Sequence, residues 1–255
     1  MGLTKTIWAN PPEYLRMQQP EHPVLFFAPS VLQATARRFL DGFPGLVTYA
    51  VKANDAVEVL ENLSASGIAA FDVASPAEMR LVRRLAPGAA LHYNNPVRSR
   101  AEIAEAVALG VTSYSIDCAG ELYKLIAAGL PEATEISVRL HLPVRGAAYD
   151  FGTKFGASPE TAASLLRAVA DDGLVPSMTF HPGTQCADPA AWVSYIDECA
   201  RVARRAGGID AAHAVRGHRR AEQARAIRQA ARLLADRRDG VTGRGYGEIG
   251  QKHPD

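Results

Sequence analysis

The stretch Leu46-Val-Thr-Tyr-Ala-Val-Lys52, followed directly by Ala53-Asn54, decides how this chain is interpreted. Residues that favour β-structure fill it up to its last position, where a lysine stands, so we predict a strand over Leu46–Lys52. A lysine at the carboxyl end of a strand has two interpretations. It is a charged residue where the strand meets a solvated loop, or it is an amine placed to form a Schiff base with a carbonyl compound.

The composition is that of a globular chain. Its 255 residues are 47% hydrophobic and 22% charged, which fits one large domain or two small ones, and the net charge of +1 does not indicate nucleic-acid binding. Three widely spaced cysteines (Cys118, Cys186 and Cys199) predict free thiols, and no CxxC or HxxxH spacing supports a metal site. We expect no signal peptide, no membrane span and a cytoplasmic location.

Short β-rich segments alternate with helical segments along most of the chain. The predicted strands are Val24–Phe27, Leu46–Lys52, Ile68–Ala74, Ala90–Asn94, Thr112–Asp117, Glu135–Leu142 and Val175–His181. The predicted helices are Val31–Leu40, Asp55–Ser66, one that begins after Ser75, Ser99–Leu109, Ala119–Ala128, Pro159–Asp171 and Pro189–Ala206. Ser30, Ser75 and Ser158 are predicted helix caps, the second in a capping box with Glu78.

This alternation predicts an α/β fold with a parallel sheet, made of about six successive βα units from Leu46 onward. A doubly wound sheet and a (β/α)₈ barrel both fit it. The barrel is favoured because a polar residue lies at or near the carboxyl end of each predicted strand from Leu46 onward, and barrel enzymes build their sites at those ends. Polar residues also end strands merely because loops are wet. The residues concerned are Lys52, Asp72, Asn94, Asp117, Arg139 and His181.

Five motifs come in order at fitting distances. They are Tyr49-Ala-Val-Lys-Ala-Asn54, Phe71-Asp-Val-Ala-Ser75 with Glu78, Tyr93-Asn-Asn-Pro96, Lys154-Phe-Gly156 and Phe180-His-Pro-Gly-Thr184 with Cys186. Together they resemble the barrel domain of the pyridoxal phosphate (PLP)-dependent ornithine/lysine/diaminopimelate decarboxylases, the group IV enzymes with an alanine-racemase-like barrel. The resemblance runs from about Val24 to about Gly207 and is strongest to the ornithine/lysine branch.

The resemblance implies a homodimeric PLP-dependent carboxy-lyase of polyamine biosynthesis that acts on ornithine or lysine. Lys52 would hold PLP as a Schiff base, and His181 would stack on the pyridine ring, so these two are the implied catalytic residues. Asp72 would lie beside the lysine amine, Arg139 near the pyridine nitrogen, and Thr184 at the phosphate. The residues alone also allow a core histidine at His181 and an ordinary turn threonine at Thr184.

Two of the polar residues have further interpretations. Arg139 could simply pair with Asp72 or Glu78. Glu78 is the weakest candidate, because a glutamate in the first turn of a helix usually serves as a cap.

The chain is predicted to divide into an N-terminal segment (1–45), a partial PLP-binding barrel (46–208) and a tail (209–255). The tail holds 9 of the 23 arginines and a single lysine, and it carries +4 charge against −3 for residues 1–208. It lacks the glycine-rich triplet, the Glu-Pro-Gly-Arg motif and the β-sandwich domain that the resemblance implies. It resembles a GC-rich reading frame shifted by a base, and a natural short variant or a basic interaction tail are the alternatives.

The resemblance therefore predicts an incomplete barrel, weakly active or inactive, in a chain that meets small amino acids rather than nucleic acids or membranes. A non-catalytic PLP-binding barrel and an amino-acid racemase of the same fold remain alternatives. The residues do not fix which amino acid is the substrate.

Overall fold

The fold is an α/β sheet with helices between its strands. The computed structural model describes residues 7–43, 45–142, 155–183 and 189–207. The helices are α1 (Pro11–Gln18), α2 (Pro29–Gly42), α3 (Val57–Ala65), α4 (Pro76–Leu85), α5 (Arg100–Ala108), α6 (Ala119–Ala127), α7 (Pro159–Asp171) and α8 (Pro189–Arg205). The strands are β1 (Tyr49–Ala50), β2 (Ala70–Val73), β3 (Ala90–Tyr93), β4 (Ser113–Ile116), β5 (Glu135–Leu140) and β6 (Val175–Phe180). Within these ranges, no helix is long and apolar enough to cross a membrane.

All described strand pairs are parallel, and the sheet order is β1-β2-β3-β4-β5-β6. Each strand thus pairs with its neighbours in sequence. A doubly wound sheet reverses its strand order at a switch point, whereas a barrel adds each strand beside the last. The predicted α/β class is confirmed, and the order is that of a barrel wall.

The hydrophobic core lies between the sheet and the helices. Phe71 and Val73 of β2 point to this side and are fully buried, as are Leu91 and Tyr93 of β3. Successive strand residues point to opposite faces, so Asp72, between Phe71 and Val73, faces the other side of the sheet. The apolar residues therefore determine which side of the sheet the polar residues occupy.

The N-terminal segment differs from its prediction. Val24–Phe27 is not a strand, and it pairs with none of the described strands. The side chain of Leu25 is 97% exposed, so the apolar composition that suggested a strand is not matched by burial in a sheet. Helix α1 was not predicted, although Asn10 caps it by accepting the Glu13 N–H at 2.9 Å.

Two further boundaries differ near the start of the sheet. Helix α2 begins at Pro29, and Ala28 is its N-cap, so Ser30 is not the cap. Strand β1 covers only Tyr49–Ala50, because Val51–Ala53 forms a 3₁₀ turn. In the described sheet β1 has a partner only on its β2 side, so little holds it in a longer ladder. Lys52 therefore lies in a turn beyond the strand instead of at its last position.

The serine caps explain where the helices begin. Ser158 caps α7 as predicted. Ser75 accepts the Glu78 N–H at 3.4 Å, as a capping box requires. The Glu78 carboxylate, however, accepts the N–H of Ala74 at 2.7 Å instead of that of Ser75, so the predicted capping box is incomplete. The complete capping box lies at α5. There Ser99 Oγ accepts the Glu102 N–H at 3.2 Å and Glu102 accepts the Ser99 N–H at 2.7 Å.

Removing this cap should destabilise the protein. We expect Ser99→Ala to lower the free energy of unfolding by about 1 kcal/mol, because the N–H of Glu102 then loses its partner. Ser164→Ala, in the exposed interior of α7, is the matched control. It should leave stability unchanged or raise it by roughly a few tenths of a kcal/mol, since alanine is the better helix former. Urea unfolding of both variants measures this, and equal losses would contradict the capping role.

Candidate functional site

A small cavity lies where the strands end at their carboxyl side. Its volume is about 120 Å³. The residues around it come from the ends of β2 and β5, from the turns that follow β1, β2 and β3, and from the segment before α7. They are Lys52, Asp72, Ala74, Asn94, Asn95, Pro96, Arg139 and Phe155. Parallel strands in sequential order bring these distant segments together, so the structure gathers three of the five candidate site residues in one cavity.

Asp72 is the buried acid of this cavity. Burial raises the pKa of its carboxyl group above the ordinary value of 3.8, while a hydrogen bond from Asn94 and the positive charge of Lys52 act in the opposite direction. Lys52 itself is exposed at the cavity. The arrangement is thus a desolvated carboxylate within electrostatic reach of an accessible amine.

Arg139 provides a second cationic group. Burial lowers the pKa of its guanidinium, and Asp117, Tyr195 and Asp72 oppose this effect through their charges. The guanidinium carbon lies 5.4 Å from the centre of the Phe155 ring, a cation–π distance. Arg139 therefore stacks on an aromatic face beside the cavity, within the electrostatic reach of Asp117 and Asp72.

Asp117 has a role that sequence reasoning missed, although it had been recognised as a strand end. Its Oδ2 accepts the N–H of Gly156 at 3.1 Å, which fixes the turn that carries Phe155 to the cavity. Gly156 has φ +117°, and a Cβ there would lie 2.7 Å from the Cβ of His141. Only glycine fits this position without displacing the backbone of β5's continuation.

His181 follows the end of β6. Its Nδ1 accepts the N–H of Gly183 at 3.0 Å, so a proton on the neutral ring is carried by Nε2. Burial lowers the pKa of the imidazole, and the charges of Arg139 and Lys52 lower it further. His181 does not line the cavity, but it lies within the electrostatic range of both cations.

The remaining predicted residues divide into two groups. Thr184, together with Lys154 and Cys186 of the motifs, lies outside the described residues. Glu78 supports the cavity indirectly, because its carboxylate holds the N–H of the lining residue Ala74. The lining side chain of Phe155 was present in a quoted motif but had been given no role.

Comparison with known proteins finds a matching family and several relatives. The family of pyridoxal-dependent decarboxylases, in its pyridoxal binding domain, matches residues 30–213. The lysine/ornithine decarboxylase of Selenomonas ruminantium is 37% identical over 161 residues, which are 62% of this chain. The chain spans only 39% of that relative's length.

Two solved structures have the same fold. The lysine decarboxylase of Selenomonas ruminantium matches with a TM-score of 0.70 at 24% identity, over 91% of this chain and 64% of that one. The lysine/ornithine decarboxylase of Vibrio vulnificus, complexed with putrescine, matches with a TM-score of 0.63 at 26% identity, over 76% of this chain and 50% of that one.

The raised pKa of Asp72 has a measurable consequence for stability. A carboxyl group that binds its proton more tightly in the folded state makes folding less favourable once it ionises, and this cost is complete above its folded pKa. Asp72→Asn cannot ionise, so we expect its melting temperature to exceed that of the original chain at neutral pH. The difference should shrink as the pH falls toward the ordinary value of 3.8.

The control is Glu132→Gln, which removes one negative charge from an exposed turn. Its melting temperature should follow that of the original chain across the same pH series. A stabilisation by Asp72→Asn that persists undiminished at acid pH would contradict the assignment to ionisation.

Proposed function

Because this chain belongs to the pyridoxal-dependent decarboxylases through their pyridoxal binding domain, we propose that it uses Lys52 to hold PLP in a decarboxylase acting on a basic amino acid. One observation carries the proposal. The amine of Lys52, the buried carboxyl of Asp72 and the guanidinium of Arg139 meet in one cavity at the carboxyl ends of parallel strands. In α/β barrels, these ends are where active sites lie.

The side chains present suit such a cofactor. Lys52 offers an accessible primary amine to an aldehyde, while Phe155 and Pro96 offer apolar surface to a planar ring. Two nearby cationic groups, Lys52 and Arg139, favour an anionic molecule. When bound, PLP supplies an electron sink for the electrons left by a departing carboxyl group.

Three polar residues of the cavity have proposed tasks beside that of Lys52. Asp72 orients and polarises the Lys52 amine, since the two groups line the same cavity and the charge of Lys52 acts on the Asp72 carboxyl. Asn94 donates to Asp72 and keeps that carboxylate directed toward the cavity. Arg139, stacked on Phe155, would orient the nitrogen end of the PLP ring.

Two further tasks rest on the motif positions. His181 would cover one face of the PLP ring. The hydrogen bond from the Gly183 N–H to its Nδ1 fixes the tautomer and orientation of the imidazole. Thr184, outside the described residues, is the proposed phosphate ligand.

Ornithine and lysine are the proposed substrates, with putrescine and cadaverine as products. The support is the names of relatives, among them the ornithine decarboxylase of Panagrellus redivivus and the Vibrio vulnificus enzyme complexed with putrescine. A homodimer is the proposed assembly, on the resemblance to the same family.

Cofactor capture tests the proposed attachment point. We expect borohydride reduction in the presence of PLP to attach a pyridoxyl group to Lys52, located by peptide mass spectrometry. Lys52→Arg keeps the charge but cannot form the bond, so it should lose the adduct, whereas Lys5→Arg should keep it. Scattered labelling of Lys5, Lys124, Lys154 and Lys252, equal to that of Lys52, would overturn the assignment of the site.

Product analysis separates the proposed activity from its alternatives. Incubation with labelled ornithine or lysine should release CO₂ and the corresponding diamine. Conversion of the L- to the D-amino acid without CO₂ would identify a racemase instead. PLP attachment with neither product would identify a cofactor-binding protein without turnover.

A further inference from the structure

A buried arginine outside the cavity holds one of its walls. The side chain of Arg98 is 0% exposed, which is rare for a guanidinium. Its two terminal nitrogens donate hydrogen bonds inside the protein, whereas Nε has no hydrogen-bond partner and faces Glu121 in an ion pair. It lies in the connection between β3 and α5, only a few residues after the cavity-lining residues Asn94–Pro96. Its guanidinium carbon stands 5.1 Å from the ring centre of Tyr93 and 5.6 Å from that of Tyr114.

The contacts of Arg98 close the turn that lines the cavity. One guanidinium nitrogen donates to the carbonyl of Tyr93 at 3.3 Å, the residue directly before the turn. Another donates to the carbonyl of Ser115 in β4. Arg98 follows residues 94–97 in the chain, and its side chain bonds to the residue that precedes them and to β4. These bonds hold the two ends of the turn together and fix them to the neighbouring strand.

A carboxylate on α6 completes this arrangement. Glu121, whose side chain is only 7% exposed, lies 3.5 Å from Nε of Arg98. Lys124 pairs with the same carboxylate at 2.5 Å and also donates to the carbonyl of Arg98. Both the side chain and the backbone of Arg98 are therefore fastened to the first turns of α6.

The turn held in this way lines the same cavity as Asp72. Asn94 lines the cavity together with Asp72 and lowers the pKa of its carboxyl group. Asn95 donates to the carbonyl of Ala74 at 3.4 Å, and Pro96 also lines the cavity. A shift of this turn would move the partner of Asp72 and one side of the cavity together.

We propose that the Arg98–Glu121 pair is a positioning unit for the cofactor cavity, which acts by holding residues 94–97 closed and so keeping Asn94 against Asp72. This inference rests on the proposed function, because the ligand that it positions the cavity for is PLP. Neither residue lines the cavity, so the effect passes through the turn.

The test must separate positioning from stability. Removing one partner leaves a buried charge and risks unfolding, so the main variant is the double replacement Arg98→Met with Glu121→Leu. Apolar residues of similar size in place of a buried ion pair often preserve or raise stability. The matched control replaces the exposed Arg80–Glu105 pair, which joins α4 and α5, in the same way.

Three measurements are made on each chain: melting temperature, hydrogen exchange of the amides of Asn94, Asn95 and Val97 without PLP, and the dissociation constant for PLP by fluorescence titration. We expect the double variant to fold, because Lys124, which also loses the Glu121 carboxylate, is partly exposed and keeps its contact with the backbone carbonyl of residue 98. Its PLP dissociation constant should rise roughly tenfold, and exchange at residues 94–97 should accelerate by a similar factor, because the hydrogen bonds that close the turn are gone. The Arg80–Glu105 control should change neither quantity.

The outcomes distinguish this inference from the proposed function. If the original chain binds no PLP, the proposed function fails, and exchange at residues 94–97 still decides whether the pair holds the turn. If the double variant binds PLP within twofold of the original and exchanges no faster, the positioning role is overturned. Should the double variant not fold, Arg98→Lys takes its place. It keeps a positive charge beside Glu121 but lacks the guanidinium fork, and the same two readouts apply.

Discussion

Parallel pairing of strands in their order along the chain is the constraint on which the rest of this structure depends. It places all six carboxyl ends on one edge of the sheet, so each βα connection contributes to a common surface. Alternation of side chains along β2 and β3 then sends Phe71 and Leu91 to the helices and Asp72 to the opposite face. The cavity is thus a consequence of how the strands pair and of how side chains alternate along them.

The sequence predicted the sheet well because each strand is bounded by proline, glycine or a capping serine, and these signals are local. It also predicted that Lys52, Asp72 and Arg139 would meet, since strand ends in a parallel sheet converge. It failed at Val24–Phe27, where an apolar composition was taken for a strand, because pairing depends on a neighbour that a local pattern does not reveal. Arg98 was equally invisible, since a basic residue in a loop is ordinarily solvated and only the folded structure shows its burial.

Electrostatics within the site balance desolvation against opposite charge. Asp72 is made costly to ionise by burial, and the amine of Lys52 partly relieves that cost. Arg139 experiences the same competition with the signs reversed, with Asp117 and Asp72 opposing its burial. The attraction among Asp72, Lys52 and Arg139 does not alone hold these side chains in place. Hydrogen bonds in the segments next to the cavity also support them. They include the Asp117–Gly156 hydrogen bond and the Glu78–Ala74 hydrogen bond.

The 3₁₀ turn at Val51–Ala53 bears on how Lys52 can move. A lysine within a strand shares its backbone with the ladder, so pulling on its side chain strains the pairing of the sheet. Beyond β1, the turn is closed instead by the N–H of Asn54 on the carbonyl of Val51. Tyr49 supports the same turn through its hydroxyl, which donates to the carbonyl of Asn54. The side chain of Lys52 therefore begins in a closed turn outside the ladder. Its amine can change position without altering the pairing of β1 with β2.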